Sequence, residues 1–321
     1  MSVVIPAYNA AQHLHAAVGS ALAQTENRLE VLVVDDASTD ATRELAVRLA
    51  SEDARVRLLC NDVNKGVAAS RNCALAEARG DWIALLDADD TWLPQRLEQL
   101  LMVGAGADVV ADDVFIVRED GDGSGGGSEA VSFLRWANFD IRTPHRLTAA
   151  EFVQHDLGFL KPLFRRSFLS EKSLQYDETL RVAEDFYFYV HVLLAGATWV
   201  QVRDAYYSYR RRAGSLSRDS ENIFRQHAAS SAELLDSPAV REDRALLLVV
   251  LRFHKGVHER RAKHVVLQLI RQRRFGELAR VLRARPGDGL LTLMVISQNL
   301  RLRMRRRLRH PFHPVKARIL E

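Results

Sequence analysis

Across the first hundred residues, short apolar runs alternate with amphipathic stretches at a spacing that few architectures accommodate. Strands are predicted at Val3-Val4-Ile5, Val31 to Val34, Val56 to Leu59 and Trp82 to Leu86, with helices near 10 to 24, 40 to 52, 66 to 79 and 94 to 103. Strand–helix–strand repetition of this kind implies a parallel sheet covered by helices. The continuous apolar strands agree with burial on both faces. In open sheets of this type, ligands bind beyond the carboxyl ends of the strands. The segments that follow the strands are therefore the candidates for function: Pro6-Ala7-Tyr8-Asn9, Asp35 to Asp40, Asn61 to Gly66, and Asp87-Ala88-Asp89-Asp90.

The last of these is the most informative. An apolar strand that ends in Asp87, Asp89 and Asp90 crowds three carboxylates, which repel one another unless a cation sits between them. Oxygen ligands suit Mg²⁺ or Mn²⁺ better than zinc, which points to a metal site for a phosphate-bearing substrate. Taken alone, the same residues also suit a solvated acidic turn ahead of a helix beginning near Pro94, with Asp90 as its N-cap.

The 321 residues are 47% hydrophobic and 27% charged, as in soluble globular proteins. No apolar run approaches the length of a membrane span, and the N-terminus opens directly into a strand, so a cytoplasmic location is expected. Two cysteines, Cys60 and Cys73, are too few for a disulfide scaffold and are expected to be buried free thiols. The net charge of +4 is unevenly divided: residues 241 to 321 hold 21 basic and 6 acidic residues, a net of +15, leaving −11 for the rest. Such asymmetry suggests an anionic partner for the C-terminal part, a membrane surface or nucleic acid. The Gly-rich run 119 to 128 is expected to be a surface loop, and the pattern from about Ser217 onward is helical.

Five blocks, Val3 to Asn9, Val33 to Asp40, Asn64 to Asn72, Leu86 to Asp90 and Ala183 to Phe186, resemble in order and spacing the family 2 glycosyltransferases of the GT-A fold. The likeness covers roughly residues 2 to 215. Gly158 to Pro162 and Tyr209 to Ser217 look most like the exopolysaccharide transferases of the succinoglycan type. The resemblance implies a GT-A (Rossmann-like) α/β fold with a mixed, mostly parallel sheet and a C-terminal helical appendage. The domains expected are a transferase domain over 1–216, made of a nucleotide-sugar-binding half (1–118) and an acceptor half (130–216), and a basic helical region over 217–321.

The same resemblance implies inverting transfer of a sugar from a nucleotide-diphospho-sugar, a UDP-sugar first, to a saccharide acceptor, commonly lipid-linked. Asp89 is expected to bind Mn²⁺ or Mg²⁺, with Asp87 on the donor ribose or on the metal through water. Pro6 and Ala7 are expected to meet the nucleotide through their backbone, Tyr8 to stack on the base and Asp36 to accept from a uracil imide, whereas Asp35 reads as structural. Lys65, Arg71 and Arg212 are the cations expected near the diphosphate, with Arg210 and Arg211 as rivals of Arg212. An inverting transferase needs a base to deprotonate the acceptor hydroxyl; by resemblance this is Asp185, supported by Glu184. The pair also suits the first turn of a helix on dipole grounds alone. Lys161 reads either as an acceptor contact or as a surface side chain, and His191 as core or cleft lining.

The segment Leu290 to Arg309 combines apolar and cationic residues suited to an interfacial helix on anionic lipid, so peripheral attachment to the inner face of the cytoplasmic membrane is expected. No zinc-finger spacing or RNA-binding signature accompanies the basic residues, which argues against nucleic acid. A catalytically silent nucleotide-sugar-binding regulator is the alternative function. A dehydrogenase is excluded because no Gly-x-Gly-x-x-Gly follows the first strand.

Overall fold

The computed structural model describes residues 1–118, 131–142, 144–211 and 220–284. The first half comprises β1 (Ser2–Ala7), α1 (Leu14–Leu22), β2 (Glu30–Asp35), α2 (Thr42–Glu52), β3 (Val56–Cys60), α3 (Val67–Glu77), β4 (Trp82–Leu85), β5 (Thr91–Trp92) and α4 (Arg96–Val103). There follow β6 (Val109–Arg118), β7 (Val131–Ser132), α5 (Phe133–Trp136), β8 (His145–Leu147), α6 (Ala149–Gln154), β9 (Leu163–Arg165), α7 (Arg166–Glu171), α8 (Glu184–Leu194) and β10 (Trp199–Arg211). The remainder is helical: α9 (Ser220–Asp236), α10 (Pro238–Glu242), α11 (Arg244–Arg271) and α12 (Phe275–Ala284).

The strands form one sheet in the order β3-β2-β1-β4-β9-β6-β10-β5, with β7 added on β6 and β8 on β10. Strands β3, β2, β1 and β4 run parallel, and β1 pairs with β2 from Ser2↔Glu30 to Ala7↔Asp35. Strand β9 enters antiparallel between β4 and β6, Phe164 lying opposite both Ile83 and Val109. The long strand β10 returns parallel to β6 with register shifts between Gln201 and Tyr207. The sheet is thus mixed and mostly parallel, with flanking helices, as expected.

Val3 to Ile5, Val31 to Val34 and Ile83 to Leu86 are buried, which matches their unbroken apolar character. Between α6, α8, β9 and β10 an aromatic cluster of Phe152, Phe164, Tyr189 and Trp199 is sealed from solvent, with Phe164 and Tyr189 ring centroids 5.6 Å apart. These tilted ring contacts fix α8 against the sheet. Gly158 belongs to this packing, because a Cβ there would lie 2.6 Å from the Phe186 Cβ. The absent side chain lets the segment carrying Lys161 run close to the start of α8.

The chain divides into two compact units, Met1–Asp219 with Ala229–Phe253, and Ser220–Ala228 with His254–Glu321. The expectation of buried cysteines does not hold. Cys60 is exposed because β3 is the edge of the sheet and Cys60 ends it, and Cys73 is partly exposed on α3; both are free thiols. The Gly-rich run, Arg212 and the segment 290 to 309 lie outside the described residues.

Candidate active site

The carboxyl ends of β1, β2 and β4 open onto a cleft of about 590 Å³, within the range typical of small-ligand pockets. Pro6, Ala7 and half-exposed Tyr8 line one side, and Asp87 and Asp89 another. The loop geometry that presents Tyr8 is fixed by Asn9, which adopts a positive φ and accepts hydrogen bonds from the Thr39 amide at 2.8 Å and its hydroxyl at 3.3 Å. Asp35 is fully buried and accepts from Arg43 Nε at 2.9 Å and the Ser38 amide, a structural role.

Asp36 lines the cleft yet is already engaged. Its carboxylate accepts from Asn61 Nδ2 at 2.7 Å and from the amides of Lys65 and Gly66 at 2.9 and 2.8 Å. A carboxylate has roughly four acceptor positions, so about one remains for a ligand. The arrangement also places a negative charge just ahead of α3, where the helix dipole favours it. Gly66 suits its place because its φ is +92°, a conformation that side chains rarely adopt, and the Arg181 guanidinium packs against it. Lys65 contributes its backbone here, its carbonyl accepting from Arg181 at 2.8 Å; its side chain is exposed and not part of the cleft lining. Arg181 adds a cation to the cleft lining beside it.

At the floor, two buried cations interleave three carboxylates. Arg71, 1% exposed, reaches Asp87 Oδ1 at 3.0 Å and both Glu184 Oε1 and Asp185 Oδ1 at 2.8 Å. Lys161 Nζ donates to Asp185 Oδ2 at 2.7 Å and lies 2.9 Å from Asp87 Oδ2. Tyr176 donates to Asp185 Oδ1 at 3.3 Å, and its ring lies under the Arg71 guanidinium. Burial alone would raise the Asp87 carboxyl, but Lys161 and Arg71 overcome it and hold it at about 2. Burial likewise opposes the charge on Lys161, yet Asp185 and Asp87 raise its pKa well above that of an ordinary lysine. Burial first, then the charge of Asp185, pushes Glu184 upward. The α8 N-terminus starts from Ala183 in a left-handed conformation, so Glu184 and Asp185 turn into the site within one residue of a sharp bend.

Asp90 departs from its expected helix-capping role. Helix α4 begins only at Arg96, with Gln95 as N-cap, because β5 intervenes. Asp90 instead accepts from Tyr207 Oη at 2.7 Å and the Arg210 amide at 2.9 Å, and Tyr207 Oη accepts from the Asp87 amide. Burial, then Asp87 and Asp89, drives its carboxyl far above the usual range. Asp90 thus ties β10 to the acidic turn and brings Tyr209 and Arg210 into the cleft wall.

Of the residues singled out from sequence, Pro6, Ala7, Tyr8, Asp36, Arg71, Asp87, Asp89 and Glu184 share this cleft, and Asp185 lies just behind it. Lys161 and Tyr209, from the two blocks quoted above, join them at the site, as do Arg181, Tyr176 and Tyr207, which no sequence motif announced. Among the described residues no group of three or more acidic, His or Cys side chains could hold a metal by itself. The donor set nevertheless suits Mg²⁺ or Mn²⁺, which is commonly held by one or two carboxylates and completed by substrate phosphates and water. Asp89 lines the cleft and fits this role. Asp87, with each oxygen committed to a cation, fits a ribose or water-mediated contact rather than a direct metal bond.

A mixed, mostly parallel sheet with acidic residues and a ligand-sized cleft at its strand ends is a scaffold of the GT-A type. The sequence matches Glycosyl transferase family 2 over residues 2–169, and the chain belongs to that family. It is 36% identical over 228 residues to the succinoglycan biosynthesis protein ExoO of Rhizobium meliloti, covering 68% of this chain and 62% of that protein. It is 33% identical over 286 residues to ExoU of the same organism, covering 85% and 80%. The fold is similar to that of S. aureus TarS 1-349 in complex with UDP-GlcNAc, with TM-score 0.61, 22% identity, and 79% and 72% of the two chains covered. The protein is a glycosyltransferase.

Proposed function

We propose that this protein transfers a sugar with inversion from a nucleotide-diphospho-sugar, a UDP-sugar first among them, to a saccharide acceptor in exopolysaccharide or other surface-glycan assembly. The observation that carries the reading is the cleft itself, which gathers the half-exposed Tyr8 ring, the Asp87 and Asp89 carboxylates at the end of β4 and a carboxylate pair from α8. Tyr8 offers a face for the base and Asp36 its remaining acceptor position for an imide N–H. Arg71, Arg181 and Arg210 supply positive charge for the diphosphate, with Arg212 a further candidate. Mg²⁺ or Mn²⁺ on Asp89 would neutralise charge building on the leaving diphosphate.

Asp185 acts as the base, with Glu184 orienting the acceptor. The acceptor hydroxyl gives its proton to the carboxylate as its oxygen attacks the anomeric carbon, and the bond from that carbon to the diphosphate oxygen breaks on the opposite face. Arg71 and Lys161 hold Asp185 in register. The incoming diphosphate competes for the same cations, which frees a lone pair on the base. A silent regulator is disfavoured, because such a protein has no need of a base held by two buried cations.

Similarity to two succinoglycan biosynthesis proteins supports an exopolysaccharide product. No helix among the described residues is long and apolar enough to cross a membrane. The basic segment 290 to 309 is proposed to attach the protein peripherally to the inner face of the cytoplasmic membrane; truncation after residue 286 should abolish cosedimentation with anionic vesicles. The catalytic reading is tested by UDP release from a panel of UDP-sugars incubated with membrane extract. Wild-type protein should release UDP from at least one, and Asp185→Asn should not; equal release by both would refute the assigned base.

A further inference from the structure

A second cavity of about 180 Å³ lies on the outer face of α8, distinct from the nucleotide cleft. Glu184 lines both spaces. The cavity is closed by Tyr187 and His191 from α8, Asp177 from the preceding loop, and Ser230 and Glu233 from α9. Its volume is below the usual range for drug-sized ligands, so it holds one small ring rather than a nucleotide or an oligosaccharide. Tyr187 and Phe188 stand beside hydroxyl, imidazole and carboxylate groups, so the lining is part apolar and part hydrogen-bonding. A sugar ring has the same mixed character.

We propose that this cavity is an acceptor subsite that takes a single uncharged sugar ring, with Glu184 bridging it to the reacting centre. The inference rests on the transferase reading above and deepens it. Asp177 and Glu233, beside the Arg71-paired Glu184, face one imidazole, so the cavity disfavours uronate or phosphorylated rings and accepts neutral ones. Burial lowers the basicity of His191, against the opposing influence of Glu233 and Asp177, so the imidazole brings little compensating charge near neutral pH. The subsite therefore selects by charge as well as size.

Saturation-transfer NMR on the full chain with UDP and Mg²⁺ tests this, using methyl glucoside, methyl galactoside, methyl N-acetylglucosaminide and methyl glucuronide as probes. At least one neutral glycoside should receive saturation and the glucuronide none. Ser230→Trp, which fills the cavity from α9, should abolish the signal while leaving UDP affinity by calorimetry unchanged. Glu233 is exposed, so Glu233→Lys should fold normally and admit the glucuronide. Absence of signal from every neutral probe, a signal that persists in Ser230→Trp, or glucuronide binding to wild type would each overturn the proposal. Loss of UDP binding by wild type would instead implicate the transferase reading, so the two failures are distinguishable.

Discussion

Lys161 Nζ sits 2.7 Å from Asp185 Oδ2, so the carboxylate at the start of α8 is held by a lysine delivered from the segment leading into β9. The same ammonium lies 2.9 Å from Asp87, at the end of β4. One cation thus couples the end of β4 to the start of α8. It can do so because β9 runs antiparallel beside β4, and Gly158 allows close approach to Phe186.

Replacing Lys161 with Met should damage both stability and activity. Removing one partner of a buried ion pair costs about 3 kcal/mol or more, since the remaining charges lose their compensation. Urea unfolding should show a lower midpoint with unchanged slope, and residual UDP-sugar turnover should fall at least tenfold, or about 1.4 kcal/mol. Unaltered turnover in a folded variant would contradict the coupling role.

The two carboxylates of α8 should separate kinetically. Asp185→Asn removes the proposed base and should lower kcat by roughly 10² to 10⁴, the usual worth of general base catalysis. Glu184→Gln keeps hydrogen bonding and should act mainly on the acceptor KM. Steady-state kinetics with varied acceptor distinguishes the two, and the reverse pattern would move the base to Glu184.

Much of this arrangement could be read from sequence where the determinants are local. Strands β1 to β4 announce themselves by unbroken apolar runs, and the polar segments after them mark the ligand edge. Asp89 and the Glu184-Asp185 pair stand in short motifs whose chemistry is legible. Lys161 reads either as an acceptor contact or as a surface side chain, because whether a lysine is buried depends on a strand that inserts between β4 and β6 from more than fifty residues away. Asp90 was misread for a related reason: its partners Tyr207 and Arg210 lie on β10, and proximity to Pro94 suggested a cap that β5 displaces. The exposure of Cys60 likewise follows from strand order, which places β3 at the edge.

A second buried pair tests how the site is supported. Arg96 and Asp112 are fully buried and joined through two nitrogens, at 2.8 to 3.1 Å, and Arg96 also donates to the Lys161 carbonyl. Asp112→Ala should destabilise by about 3 to 5 kcal/mol, whereas Arg96→Met with Asp112→Leu should lose far less. Chemical denaturation of both variants checks the contrast. Turnover should fall in the double variant even where stability is retained, since the Lys161 backbone loses its anchor.

The helical region should carry an acid-sensitive element. Burial, then the nearby Arg260, lowers His227 from an ordinary 6.5 to about 4. The folded protein keeps this imidazole neutral between those values while the unfolded chain protonates it. Stability is therefore intact above pH 6.5 and declines as pH falls towards 4, by at most on the order of 3 kcal/mol. His227→Gln should flatten that decline in thermal melts recorded from pH 7 to 4; an unchanged slope would exclude His227 as its source.

The central claim is that the cleft at the strand ends binds a nucleoside diphosphate through a cation on Asp89. Calorimetric titration of UDP with and without Mn²⁺, on wild type and Asp89→Ala, addresses it most directly. Metal-dependent UDP binding that disappears in Asp89→Ala is the predicted result. Absence of UDP binding to folded wild-type protein, or equal binding by the variant, would contradict the account.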